Sequence, residues 1–203
     1  MLKLKKSSLT LKAPQLRNLT EENFSEASKI ERNNIWVALD RVYDTYNIGT
    51  AARLIEGING RGIILVGDIT ADQAEKQVKK SSVFTSELIE WRKIDQLCEL
   101  DDIFTELPML VAVEKLEDED LKRDLHVQLN LECKTHTLKG RVQRALSKNI
   151  PIVVVVGNET TGIVDIDFLY ETEFIIEIPV LGINNSMNVT HALAVALYKM
   201  IGF

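Results

Sequence analysis

Cysteine is scarce in this chain of 203 residues: Cys98 and Cys133 are the only two, far apart, which excludes a disulfide framework. That scarcity suits a reducing compartment, and the expected location is the cytoplasm. No apolar run is long enough to span a membrane. The basic N-terminus MLKLKKSSLTLKAPQ interrupts its apolar residues with lysine and polar groups, unlike a secretory signal. Positive charge is not in excess either. There are 24 Lys and Arg against 30 Asp and Glu, a net charge of −6, which argues against coating nucleic acid through bulk charge. An enzyme acting on one nucleotide needs only a local basic surface. The acidic run Glu117-Asp118-Glu119-Asp120 lies away from the candidate site residues in sequence and reads as a solvated helix start. Internal repeats are missing. Cys133-Lys134-Thr135-His136 has metal-like spacing but lacks a second pair of ligands, so no metal is expected.

What is present is a chain 45% hydrophobic, enough to bury the core of one domain with a small appendage. Residues 1–33 read as a polar, charged N-terminal arm and 34–203 as the domain. Apolar runs alternate with amphipathic ones, the pattern of an α/β domain with a largely parallel sheet flanked by helices. Strands are predicted at Ile35 to Leu39, Ile63 to Val66, Leu110 to Val113, Ile152 to Val156 and Phe174 to Ile178. Helices are predicted over Ile48 to Ile58, Asp72 to Val83, Ile94 to Phe104, Leu138 to Ser147 and Asn188 to Met200, the last capped by Ser186 or Asn188.

Three stretches combine glycines, polar residues and strand-end placement: DTYNIGTAAR (Asp44 to Arg53), VVGNETTGI (Val155 to Ile163) and IPVLGINNSMNV (Ile178 to Val189). Open α/β sheets put their ligands at the carboxyl ends of strands. Taken singly, each stretch is also the pattern of an ordinary turn, with Asn47 as a helix cap and Gly182 or Asn184-Asn185 permitting left-handed backbone. The first turn lacks the G-x-G-x-x-G of a Rossmann enzyme, so that reading ranks low.

In order, the three stretches resemble the motifs of the SpoU/TrmH branch of the SPOUT superfamily, over about Ile35 to Met200. Asn47 and Arg53 match the first motif's asparagine and the arginine six positions on. Glu159 matches the glutamate of the second, and Ser186 and Asn188 match the Ser-x-Asn of the third. Lys80-Ser81-Ser82 before Trp91, and a strand ending at Glu114, are subsidiary likenesses. His191 departs from the pattern and is read as structural.

The resemblance implies an S-adenosylmethionine-dependent methyltransferase acting on a ribose 2′-hydroxyl of tRNA or rRNA. It implies a C-terminal deep trefoil knot, which periodicity cannot show, and a homodimer with the site completed across its interface. Main chain around Gly157, Ile178, Leu181 and Met187 is expected to hold the cofactor, with Val180 and Ile183 as walls. Arg53 is the implied catalytic group. A guanidinium is almost always protonated, so it acts either as a base assisted by its surroundings or as a cation stabilising the developing alkoxide. Asn47 would orient Arg53, Glu159 would anchor polar groups, and Ser186 and Asn188 would bind a neighbouring phosphate.

Basic residues for RNA must come from local patches: Lys3, Lys5 and Lys6; Lys79 and Lys80; Arg92 and Lys93; Lys139, Arg141, Arg144 and Lys148. Each is also the composition of ordinary surface. The charged region between Leu116 and Lys148 reads as an insertion touching RNA or a partner subunit. The alternative from another class is a non-catalytic RNA-binding or assembly protein that keeps the fold. Intact Asn47, Arg53, Glu159, Ser186 and Asn188 argue against it.

Overall fold

The computed structural model describes residues 4–68, 77–116, 135–183 and 186–202. Along the chain come two short helices, α1 (Ala13–Arg17) and α2 (Glu21–Ser28), then β1 (Asn33–Asp40), α3 (Thr45–Gly57), β2 (Gly60–Val66), β3 (Glu90–Ile94) and β4 (Met109–Val113). They are followed by α4 (Thr135–Ser147), β5 (Ile152–Val156), α5 (Ile166–Glu171), β6 (Phe174–Ile176) and α6 (Val189–Ile201). Residues 77–81 are also helical.

Every strand pairing is parallel, in the order β3-β2-β1-β5-β4-β6. Strands buried on both faces need no alternation, and this is why β1, β4 and β5 read as unbroken apolar runs. Successive residues still serve opposite layers. Val37, Leu39, Val154 and Val156 pack with Ile48 and Ile55 of α3 and Leu193 and Leu197 of α6. Trp36, Ala38, Val153 and Val155 pack with Phe168 and Leu169 of α5 and with Leu97 and Leu100.

This strand order leaves room for a ligand at one end of the sheet. From β1 the chain moves outward to β2 and β3 on one side, whereas β5 leads the other half. The helices that follow these two neighbours, α3 and α5, pack on opposite faces. Connections that diverge in this way open a crevice at the carboxyl ends of the two strands, the topological switch point where open α/β sheets bind ligands.

Two expectations are corrected. The helix expected over Ile94 to Phe104 is instead the end of edge strand β3, paired with β2 through Lys93 and Ile94, and a 3-10 turn at Leu97–Leu100. An edge strand buries few residues, so Glu90–Ile94 carries no apolar run. Its Arg92 guanidinium is held between the rings of Trp36 and Phe104 at 4.3 and 4.8 Å and donates to the Ile103 carbonyl. The strand expected to reach Ile178 ends at Ile176, and α5 is an additional helix that the apolar spacing does not announce. The opening segment contains α1 and α2 and is pinned to the domain. Buried Asn33 accepts from the Lys5 N–H at 2.9 Å and donates to the Lys5 carbonyl at 3.1 Å, and Asn59 donates to the same carbonyl at 2.9 Å. Residues 72–76 of the expected Asp72 to Val83 helix, the acidic run and Cys133 lie outside the described residues, while 77–81 are helical. Among the described residues no helix is long and apolar enough to cross a membrane.

Candidate functional site

At the crevice, Asp44 caps α3 by accepting from the Tyr46 N–H at 2.8 Å, which sets Asn47 in the first helical turn with its side chain turned inward, 7% exposed. Asn47 Nδ2 donates to Glu159 Oε1 at 2.6 Å, joining the loops that leave β1 and β5. Glu159 rides on a closed loop. Asn158 and Gly162 exchange backbone hydrogen bonds of 3.2 and 2.9 Å, and Asn158 Oδ1 accepts from the Thr160 N–H at 2.8 Å. Asn158 Nδ2 ties the loop to the Arg41 carbonyl at 2.7 Å. The loop folds back so tightly that a Cβ at Gly157 would overlap the Gly162 carbonyl carbon and the Ile163 nitrogen. Only glycine fits there.

The third participant arrives from the C-terminal helix. Asn188 Nδ2 donates to Asn47 Oδ1 at 3.2 Å, while Asn188 Oδ1 caps α6, accepting from the Thr190 N–H at 2.9 Å and the Thr190 hydroxyl at 2.7 Å. The direction of this chain is fixed at both ends. A backbone N–H can only donate and a carboxylate can only accept, so both amides between Thr190 and Glu159 have one allowed orientation. The result is a polarised relay, Thr190 to Asn188 to Asn47 to Glu159.

Beside the relay lies a cleft of about 670 Å³ at the ends of β4, β5 and β6. Gly157, Ile178, Val180, Met187, Val189 and Ala192 are among its lining residues. Glu114 also lines it and braces the Glu159 loop, accepting from the Ile163 N–H at 2.7 Å and the Lys115 N–H at 2.8 Å. Burial holds its carboxyl above the usual carboxylate range, an effect the two backbone donors partly offset. Volume and lining suit a small molecule with a flat apolar part.

The SpoU rRNA Methylase family model matches residues 34–198, most of the chain and all of the elements that build this site. The chain belongs to the SpoU rRNA methylase family. Solved structures similar to it include an AdoMet-bound rRNA methyltransferase from Sinorhizobium meliloti, at 21% identity and TM-score 0.61 over 91% of this chain and 59% of that one. The SpoU methyltransferase AviRb from Streptomyces viridochromogenes is 18% identical, TM-score 0.61, over 87% and 62%. A structure described as giving insight into 2-OH methylation of C/U34 on tRNA is 15% identical, TM-score 0.59, over 82% and 93%. These likenesses show the fold. The chain spans 59% and 62% of the first two of these neighbours. No curated protein matches it in sequence.

Within the SpoU domain the expected residues separate into groups. Gly157, Glu159, Ile178, Val180, Ser186 and Met187 line the cleft. Asn47 and Asn188 join it through the relay. Leu181 and Ile183 project into solvent, 96% and 108% exposed, and are not among the lining residues. Arg53 is exposed on the outer side of α3 and does not line the cleft of its own chain. Asn47 makes no hydrogen bond to Arg53; its Nδ2 donates to Glu159 and its Oδ1 accepts from Asn188. His191 is exposed in the first turn of α6.

Ser81 explains one subsidiary likeness: a Cβ at Gly49 would overlap Ser81 Oγ, so the helical segment 77–81 packs directly on α3. Sequence reasoning missed Asn158 and the bracing role of Glu114. The first had a signal, since Asn followed by Glu-Thr-Thr-Gly is the composition of an Asx turn. The contact made by Glu114 had none, as its partner Ile163 is 49 residues away. Among the described residues no cluster of His, Cys, Asp or Glu could hold a metal ion.

Proposed function

We propose that this SpoU-family protein transfers a methyl group from S-adenosylmethionine to a ribose 2′-hydroxyl of tRNA or rRNA. The observation that carries this reading is the relay from Thr190 through Asn188 and Asn47 to Glu159, which gathers side chains from three distant segments at the switch point, beside a cleft of cofactor size. The names of the structural neighbours, an AdoMet-bound rRNA methyltransferase and a study of tRNA 2-OH methylation, support the same chemistry.

The bound cofactor supplies an electrophilic methyl on a sulfonium. The cleft residues fit it: Ile178, Val180, Met187 and Val189 form apolar walls for a purine, and Gly157 gives close access to main-chain groups. The Glu159 loop, held by Asn47, Asn158 and Glu114, fixes the rim where the ribose enters. Rigid placement supplies much of the acceleration in such a reaction. Arg53 remains cationic and stabilises the oxygen as its proton departs to water.

Arg53 is exposed and lines no part of its own cleft, and it serves the cleft of a second copy in a homodimer. Val195 and Tyr198, exposed on α6, supply apolar surface for that association. The C-terminal segment between β6 and α6 is proposed to form the knot implied by the family. Incubating the protein with labelled S-adenosylmethionine and total tRNA and rRNA, then digesting to nucleosides, tests the reading: label in 2′-O-methylribose supports it, and no incorporation despite cofactor binding refutes it.

A further inference from the structure

The chain has four tyrosines, and two of them stand at the rim of the site. Tyr43, in the connection from β1 to α3, is 52% exposed and Tyr46, in the first turn of α3, is 59% exposed. Neither hydroxyl makes a hydrogen bond with any described residue. Their surroundings are polar and carry charges of both signs. Arg41 is close enough to Tyr43 to interact with it electrostatically and is itself oriented by Asp40 at 3.0 Å. Tyr46, Thr50 and Arg53 occupy positions i, i+4 and i+7 of α3, one helical stripe. The carboxylate of Asp44, between the two tyrosines in sequence, is occupied by the helix cap.

We infer that Tyr43 and Tyr46 form a stacking platform for bases of single-stranded RNA next to the methylated nucleotide. The inference rests on the proposed methyl transfer. Exposed rings beside guanidinium groups suit unstacked bases, since every base presents a π face and every linkage a negative charge. A protein partner fits less well, because Val42 is buried and the rim from Arg41 to Tyr46 offers no exposed aliphatic residue. The platform selects unpaired over duplex RNA, because a paired base keeps its faces inside the helix.

The test is fluorescence anisotropy with a labelled, mixed-sequence single-stranded oligoribonucleotide. Wild type is compared with Tyr43→Ala, Tyr46→Ala, the double variant, Tyr46→Phe and Tyr46→Leu. Each alanine is expected to weaken binding about tenfold and the pair about a hundredfold. Phenylalanine is expected to restore binding and leucine not to, a contrast that a merely structural role would not produce. Melting temperature, S-adenosylmethionine affinity and oligomeric state should stay at wild-type values. The inference is overturned if the double variant binds the oligoribonucleotide as wild type does, if wild type fails to bind it, or if the variants lose binding only by changing oligomeric state. A wild-type protein that binds this probe but methylates no RNA overturns the functional reading instead, and that failure appears in the activity measurement alone.

Discussion

Asn47 Nδ2 donates to Glu159 Oε1 at 2.6 Å, closing a contact between residues 112 positions apart in the chain. Asn47 Oδ1 accepts from Asn188 at the same time, so one buried amide couples the segments after β1 and β5 to the start of α6. Replacement with alanine leaves the Asn188 amide short of an acceptor and frees the Glu159 carboxylate. Asn47→Ala is expected to cost about 1–3 kcal/mol of stability and to weaken S-adenosylmethionine binding. Asn47→Asp should be no better, because it sets a second carboxylate against Glu159. Denaturant unfolding and calorimetric titration check both.

Gly157 is limited by space. A methyl group there meets the backbone of Gly162 and Ile163, which no side-chain rotation relieves. Gly157→Ala is expected to displace the Glu159 loop, lowering stability by about 1–3 kcal/mol and abolishing high-affinity cofactor binding. An unchanged affinity would show that the loop geometry is not needed by the cofactor.

The arginine prediction separates chemistry from folding. Arg53 is exposed and lines no part of its own cleft, so Arg53→Ala should fold and bind S-adenosylmethionine as wild type does. The rate of methyl transfer is expected to fall about 100- to 1000-fold, the effect typical of removing one charge-stabilising group. Arg53→Lys is expected to restore little, since an ammonium lacks the planar fork of a guanidinium. Mixing Arg53→Ala protein with a cleft-defective variant such as Gly157→Ala should recover activity if the arginine works across a dimer.

Acidic conditions should stabilise the fold before they disrupt it. Burial raises the carboxyls of Glu114, Asp40, Glu56 and Glu173 above the usual carboxylate range. Nearby donors and cations only partly offset this: Ile163 and Lys115 for Glu114, Arg41 for Asp40, Arg32 for Glu56, and Arg141 and Leu110 for Glu173. Between the usual range and each raised value, the folded chain keeps a proton that the unfolded chain has released. Stability contributed by these groups therefore falls as pH rises through that window and returns on acidification. Denaturation midpoints measured from neutral pH downward should first increase, and Glu114→Gln should flatten the profile.

Much of this architecture could be read in the sequence because parallel strands announce themselves. Ile35 to Leu39, Leu110 to Val113 and Ile152 to Val156 are continuous apolar runs that found their places as β1, β4 and β5. Edge strand β3 escaped because an edge buries little, and its Trp91-Arg92-Lys93 looks like surface. Of the site residues, Asn47, Glu159 and Asn188 were visible through motif likeness, and their mutual bonding was not, since spacing along a chain does not encode which amide faces which. Leu181 and Arg53 show the converse. Motif position named them, and both side chains are exposed and absent from the lining of the single chain's cleft, which only the fold can show.

The central claim concerns the atom that receives the methyl group. RNA from cells lacking the protein, incubated with purified wild-type enzyme and methyl-labelled S-adenosylmethionine, can be digested to nucleosides and resolved by mass spectrometry. The account predicts label on the ribose as a 2′-O-methyl nucleoside, at a defined position, and its loss with Arg53→Ala. Label on a base, or no label from a protein saturated with cofactor, would contradict it.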